Sequence, residues 1–323
     1  LHCFRIYVLY DMKAVLKKII SFISGLLVIS IITFILTKFT SQDPAENYLR
    51  IRHLPITPAA LENARSYLGL DKSWIEQYLS WFVKVLHLDF GTSYLLKESV
   101  VSLIAGRFLS TFYLGVTSFI LIIVVSIPIG VISGLKTNSF FDKCVRFLGF
   151  TSVSMPAFWL GYMLIFIFSV KLGLLPVSGK NEPLSIVLPC ITLSFSLIGQ
   201  YIALVRKAVS TQLESPHVEN ARMRGVKLRY LLPNHILRNA LPSIATGLSL
   251  TFVYLMTGSL IVEEVFSWNG LGSLFVEAIR SIDTPLIQGC MMLFGLLFLL
   301  NNGMTQAVNH WIDPRVRKRG NGS

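Results

Sequence analysis

Six long apolar stretches organise the chain, at about 19–39, 108–134, 146–170, 184–205, 243–263 and 285–308. Each is near the ~20 residues that carry a helix across ~30 Å of hydrocarbon. Gly, Pro and Ser interrupt several of them, as in Ser126-Ile-Pro-Ile-Gly130 and Ser154-Met-Pro156. Such residues break soluble helices, but in a membrane bundle neighbouring helices satisfy the freed backbone groups, so the pattern predicts kinks and close helix contacts. The fold expected is an all-α integral membrane protein with six transmembrane helices.

Two polar segments stand out against this pattern. The first, 40–107, is too long for a turn and predicts a small helical cap on the outer surface. Within it, Pro55-Ile-Thr-Pro58 predicts a Pro-initiated helix over 59–68 that ends near Gly69. Trp74, Tyr78, Trp81, Phe82 and Val85 recur at three- and four-residue steps, which predicts a second helix over 71–86 with an aromatic face suited to the membrane interface.

The second polar segment is Ser215-Pro-His-Val-Glu-Asn-Ala-Arg-Met-Arg-Gly-Val-Lys-Leu-Arg-Tyr-Leu-Leu-Pro-Asn-His-Ile-Leu-Arg-Asn-Ala-Leu-Pro242. Standing between two spans, it must lie at the membrane surface. A short helix over 216–224 places Glu219 in an early turn, where a carboxylate complements the positive helix end. Gly225 then permits a left-handed turn, and a second helix over 227–240 follows. Helix, glycine turn, helix is a shape that can seat in a partner's cleft. A basic loop that only hugs anionic lipid is the alternative on loop physics alone.

Lys and Arg set the orientation. With the N-terminus inside, about seventeen of them flank the spans on the cytoplasmic side, against about three (Lys171, Lys180 and Arg280) in the short external loops. The positive-inside rule expects this bias and puts both termini in the cytoplasm. Composition agrees with a membrane protein: 53% hydrophobic, 14% charged and a mean hydropathy of +0.63. The net charge of +12 raises the question of nucleic acid, but the basic residues sit beside apolar runs and not on a separate domain.

Chemistry-bearing patterns are few. The four cysteines, Cys3, Cys144, Cys190 and Cys290, form no CxxC and no exposed framework, so neither a disulfide scaffold nor a thiolate metal site is expected. His53 and His87 lack a second ligand at metal-binding spacing. There is no Gly-x-x-x-x-Gly-Lys-Ser/Thr loop, His-Glu-x-x-His or Gly-x-Ser-x-Gly. The chain is expected to carry no catalytic residue and no cofactor; if ATP drives it, another chain binds the nucleotide. Glu263 and Glu264 lie at the external end of the fifth span, where Glu263, with Trp268, is a candidate gate or pathway residue; an interfacial pair solvated by water and headgroups is the plainer account. Met12 opens a start-like Met-Lys-Ala-Val-Leu-Lys-Lys, so residues 1–11 are expected to lie upstream of the true start. The apolar run 19–39 exceeds a signal-peptide core and lacks an A-x-A-like site, which favours an uncleaved anchor.

Glu219, Ala221 and Gly225 stand at the spacing Glu-x-Ala-x-x-x-Gly, which resembles the "EAA" loop of binding-protein-dependent ABC importer permeases. The resemblance continues through His235-Ile-Leu-Arg-Asn-Ala-Leu-Pro242, an ending like that of the dipeptide, oligopeptide and nickel branch. It extends to Asp89-Phe-Gly-Thr-Ser93, Pro156-Ala-Phe-Trp-Leu-Gly161, Leu172-Gly-Leu-Leu-Pro-Val-Ser-Gly179, Glu263-Glu-Val-Phe-Ser-Trp-Asn-Gly-Leu-Gly272 and Asp313-Pro-Arg-Val-Arg317. Asn220 departs from the second Ala of the motif, and Asn269 stands where relatives often have Pro.

The resemblance implies a type I importer permease (MetI-like) fold in the bacterial inner membrane. Its parts would be a cytoplasmic N-terminus (1–18), a first span (19–39), an extracytoplasmic helical segment (40–107), a five-helix core (108–308) containing a coupling loop (209–242), and a basic cytoplasmic tail (309–323). It implies that Glu219, Asn220, Ala221, Arg224 and Gly225 couple the chain to ATPase subunits. It also implies partners: a second homologous permease, two cytoplasmic ATPases that bind ATP and Mg, and an extracytoplasmic binding protein. The external segment looks closer to nickel-importer permeases than to peptide permeases, so nickel or a nickel chelate is the expected cargo, with di- or oligopeptides as the alternative. A membrane scaffold or receptor that holds a cytosolic partner without moving solute is the reading from a different class.

Overall fold

The computed structural model describes residues 2–39, 43–179 and 182–312. Among them the only β pairing is an isolated bridge between Thr92 and Ser99. The helices are α1 (His2–Lys38), α2 (Pro44–Ile51), α3 (Pro58–Tyr67), α4 (Trp74–Leu86), α5 (Val100–Leu135), α6 (Phe140–Ser154) and α7 (Ala157–Leu164). There follow α8 (Val187–Leu213), α9 (Pro216–Met223), α10 (Leu228–Leu231), α11 (Arg238–Gly258), α12 (Leu260–Val265), α13 (Leu271–Ser281) and α14 (Thr284–Ile312). The proposed start at Met12 falls where no side chain is described, and Lys180 and the tail motif at 313–317 lie outside the described residues.

Among the described residues five helices are long and apolar enough to cross a membrane, and six segments qualify when α6 and α7, bent by 101° and continued by π-turns over Ile165–Lys171, count as one span. The bend falls at Met155, whose extended ψ of 122° is what a following proline imposes, and Pro156 then opens α7. The expected third span is thus a broken one. The fifth differs too: the apolar helix runs over Leu228–Gly258, beginning inside the polar loop, and gives way at Ser259 to the separate α12.

One compact unit comprises the chain up to Gly106 together with Leu274–Leu300. Its cap helices begin where the sequence signals them: Asp43, Thr57 and Ser73 each accept a backbone N–H at a helix start, and Glu76 completes a capping box with Ser73. The aromatic face of α4 does not point outward as expected. Tyr78 and Trp81 pack on Phe34 of α1, and the Tyr78 hydroxyl lies 2.9 Å from Ser30 Oγ. Trp74, at the start of the helix, and the neighbouring stripe of Ile75, Leu79, Val83 and Leu86 are exposed. The Asp89-Phe-Gly-Thr-Ser93 string forms a tight loop whose Ser93 Oγ donates to Asp283 at 2.6 Å, while the other Asp283 oxygen caps α14 at Leu286 N.

The second unit comprises Arg107–Ser273 with the residues from Asn301 on. At its centre lies α8, which carries thirteen buried residues along its length. In lipid, apolar side chains gain little by touching one another, so close backbone approach carries the packing. Gly130 and Gly134 of α5, four residues apart, face α8: a Cβ on Gly134 would stand 2.8 Å from Arg206 O and 2.9 Å from Val209 Cβ. On another side, a Cβ on Gly199 of α8 would come within 2.7 Å of Gly149 O in α6. The lower end of α8 joins a core of Val205, Val209, Val218, Leu231, Ile236, Ala240 and Ile244.

Replacing Gly134 by Val is expected to force α5 off α8 at a cost of ~1–3 kcal/mol. A thermal-stability scan of the detergent-purified protein checks this; an unchanged midpoint would show that the approach is looser than described.

Candidate functional site

The polar loop is built from a helix stop that the chain spells out. Ser215 takes an extended conformation and Pro216 fills the first helical position, where its missing N–H costs nothing. Val218 turns inward and is 0% exposed, locking α9 to the core that holds the end of α8. At the other end Gly225 adopts φ +79°; its N–H reaches Arg222 O at 2.9 Å, and Val226 N–H reaches Ala221 O at 3.1 Å. These two bonds are a Schellman motif, which places Ala221 at C3 and Gly225 at C′. The four-residue spacing of Ala and Gly is thus the geometry of the stop. Ala221 is half-buried, with room for a methyl group, and packs in the same core as Val226.

The remaining residues of α9 face out. Glu219, Asn220, Arg222, Met223 and Arg224 are exposed. Asn239 Nδ2 donates to His217 Nε2 at 3.1 Å, tying the start of α9 to the following helix. The second loop helix, expected over 227–240, is the short α10 followed by a π-turn at Leu232–Leu237, which runs directly into α11. Pro233 lies in this widened turn, where it has no N–H to place in an ordinary helical ladder. The structure therefore brings Glu219, Asn220, Ala221, Arg224 and Gly225 into one short element, with Ala221 and Gly225 shaping it and the other three on its surface.

Glu263 and Trp268 lie in a different part of the same unit. Glu263 is 0% exposed, and four donors meet its carboxylate: Thr111 Oγ1 at 2.7 Å, Ser259 Oγ at 2.8 Å, Gly272 N at 2.8 Å and Ser273 N at 3.1 Å. The last two are unpaired N–H groups at the start of α13, so the carboxylate closes that helix end. Trp268, also buried, donates its indole N–H to Ser110 O at 3.0 Å and stacks on Tyr113. The chain between them ends α12 with the same two-bond stop as the polar loop, here with Ser267 at φ +48°. Gly270 and Gly272 leave room for the carboxylate: a Cβ on Gly270 would stand 2.5 Å from Glu263 Oε2. Both candidate gate residues thus sit inside a packed clamp. The partners Thr111 and Ser259 escaped the sequence reading; a Ser-Thr pair at 110–111 inside an otherwise apolar run is the signal that points to them.

Residues 126–318 match the family described as the inner membrane component of binding-protein-dependent transport systems, and residues 11–115 match its N-terminal companion. The chain is a permease subunit of a binding-protein-dependent ABC importer. Over 307 residues it is 33% identical to the metal-staphylopine import system permease protein CntB of Staphylococcus aureus, covering 95% of this chain and 98% of that one. A putative peptide transport system permease of Brucella abortus is 34% identical over 311 residues (94% and 98% covered), and the glutathione transport system permease GsiC of Pectobacterium atrosepticum 33% over 302 (94% and 98%). Among solved structures, the inward-facing MetNI methionine ABC transporter gives a TM-score of 0.51 at 20% identity, over 64% of this chain and 97% of that one, a likeness of fold. The permease is a multi-pass inner membrane protein with the expected all-α, MetI-like architecture.

Replacing Glu263 by Ala leaves four donors without an acceptor, whereas Gln lets its amide oxygen take the two backbone N–H groups while the hydroxyls of Thr111 and Ser259 turn to accept. The expected order of destabilisation is Glu263→Ala, about 3 kcal/mol, then Glu263→Gln, about 1 kcal/mol, with exposed Glu62→Gln near zero. Thermal midpoints of the three purified variants check the order.

Proposed function

We propose that the permease forms a translocation pathway with a second homologous permease and works by alternating access, driven by two ATPase subunits that seat α9 in a groove. ATP and Mg belong to those subunits, and both termini of this chain face them from the cytoplasm. An extracytoplasmic binding protein delivers the cargo, and the segment 40–107 receives it. Closure of the ATPases pushes on α9 as a rigid body, and the permease passes between two packed states. The observation that carries the coupling role is the shape of α9. One residue, Val218, is sunk into the permease core, while Glu219, Asn220 and Arg224 stand outward, a division suited to an element that grips its own chain and a partner at once.

For the cargo, nickel or a nickel chelate is the leading reading, supported by the metal-staphylopine permease at 33% identity. Peptide or glutathione import is the second, favoured by relatives of the same identity. Glu263 and Trp268 serve the pathway indirectly, by holding the turn between α12 and α13 in one shape.

Gly225 has no atom near the place a Cβ would occupy, so a substitution there acts through backbone strain alone. Gly225→Val is expected to cost ~1–3 kcal/mol locally and to leave an inserted permease whose ATPases hydrolyse without transport, while Gly225→Asn, tolerant of φ > 0, retains transport. Comparing ATP hydrolysis with uptake in reconstituted vesicles reads both. Wild-type coupling in the Val variant would overturn the role of the stop.

The cargo is read by uptake of radiolabelled nickel into cells lacking and regaining the permease, with excess dipeptide or a histidine-like chelator added. Restored uptake that resists dipeptide and needs chelator is expected for a metal complex; dipeptide uptake without nickel uptake would move the assignment to peptides.

A further inference from the structure

The α5–α6 turn holds a buried carboxylate that nothing in the transport reading has used. Asp142, in the first turn of α6, is 0% exposed. Ser133 Oγ at the end of α5 donates to it at 2.6 Å, and the backbone N–H of Asn138 at 2.9 Å. From α8, Arg206 engages it with both arms of its guanidinium: Nε meets Oδ1 and Nη2 lies 2.8 Å from Oδ2. Arg146, one turn further along α6, adds a half-exposed contact at 3.5 Å. A two-point arginine–carboxylate pair fixes orientation as well as distance. Removing Arg206 is costly, because the Asp142 carboxylate left behind is shielded from water.

Position gives the pair its meaning. Arg206 is seven residues before the end of α8 at Leu213, so about 10 Å of helix separates it from the turn into α9. Around it the backbone of α5 lies against α8 at Gly130 and Gly134, and the core that encloses Val218 also includes Val205 and Val209 of α8 with Ile127, Val131 and Leu135 of α5. A push on α9 therefore enters the end of α8, and the Asp142–Arg206 pair is the one directional, charged link among the described residues from that end to the α5–α6 turn.

We propose that Asp142 and Arg206 are positioning residues for transport: their ion pair makes the α5–α6 turn, the lower part of α8 and the coupling helix move as one body when the ATPases close. Without it α8 would slide along the glycine contacts and leave α5 and α6 behind. This rests on the importer reading above.

The test uses the complete importer in lipid nanodiscs, with spin labels at Lys136→Cys on the α5–α6 turn and Glu214→Cys at the foot of α8, native cysteines replaced. Distances are measured by electron–electron resonance without nucleotide and after vanadate trapping with ATP. In the otherwise native chain the distance is expected to stay within about 1 Å between the two states. In Asp142→Asn and Arg206→Gln it is expected to shift by about 2 Å or more, with Arg206→Lys intermediate. A merely structural pair would lower thermal stability without making the distance depend on nucleotide. A shift in the native chain, or constancy in both pair-breaking variants, overturns the proposal, and if those variants fail to insert, constancy in Arg206→Lys overturns it. Absence of ATP hydrolysis by the assembled complex would instead overturn the importer reading, and the link with it.

Discussion

A carboxylate shielded from water survives only where donors surround it, and among the described residues three such groups anchor the helices of this permease. Asp142, Glu263 and Asp283 are each 0% exposed. Each lies where a helix begins, and each reaches a segment distant in sequence: Asp142 to Arg206, Glu263 to Thr111, Asp283 to Ser93. Helix starts offer unpaired N–H groups and a positive dipole end, so a charge placed there meets part of its need locally and spends the rest on a long-range bond. In a bundle whose apolar contacts are nearly as good with lipid as with protein, these polar anchors and the glycine contacts specify which helix lies where.

The same economy explains the polar loop that holds α9. Its shape comes from one buried valine, one proline and one glycine-terminated stop, and the stop recurs at Ser267 without glycine because the surrounding clamp holds the backbone there. The strain of a non-glycine residue at φ +48° persists where structure on all sides over-determines it. Gly225, with open space around it, has no such support.

Much of this was legible beforehand. Apolar length alone located the first, second, fourth and sixth spans, and Pro216 and Gly225 bounded α9 to within a residue, because a helix start and a left-handed stop are local events written in local residues. The cap helices at Pro58–Tyr67 and Trp74–Leu86 were legible for the same reason. What escaped was non-local. Nothing near Asp142 announces Arg206, which in sequence is one more positive charge on the inner flank, and the alternating Trp and Tyr of α4 have the same spacing whether they face lipid or α1. The 101° break after Ser154 was signalled only as a kink, since Met-Pro fixes that the helix must stop but not the direction in which it resumes.

The outward side chains of α9 form neither its stop nor its grip on the core. These rest on Val218, Ala221, Gly225 and Val226, with Pro216 at the start, leaving the side chains of Asn220, Met223 and Arg224 exposed and outside them. Scaffold and recognition code are written on separate letters of one short word. On the coupling role proposed above, a lineage could therefore rewrite which motor a permease accepts, and keep duplicated importers from exchanging motors, without disturbing the membrane bundle. Asn220, the departure from the family motif in this chain, stands on the rewritable side.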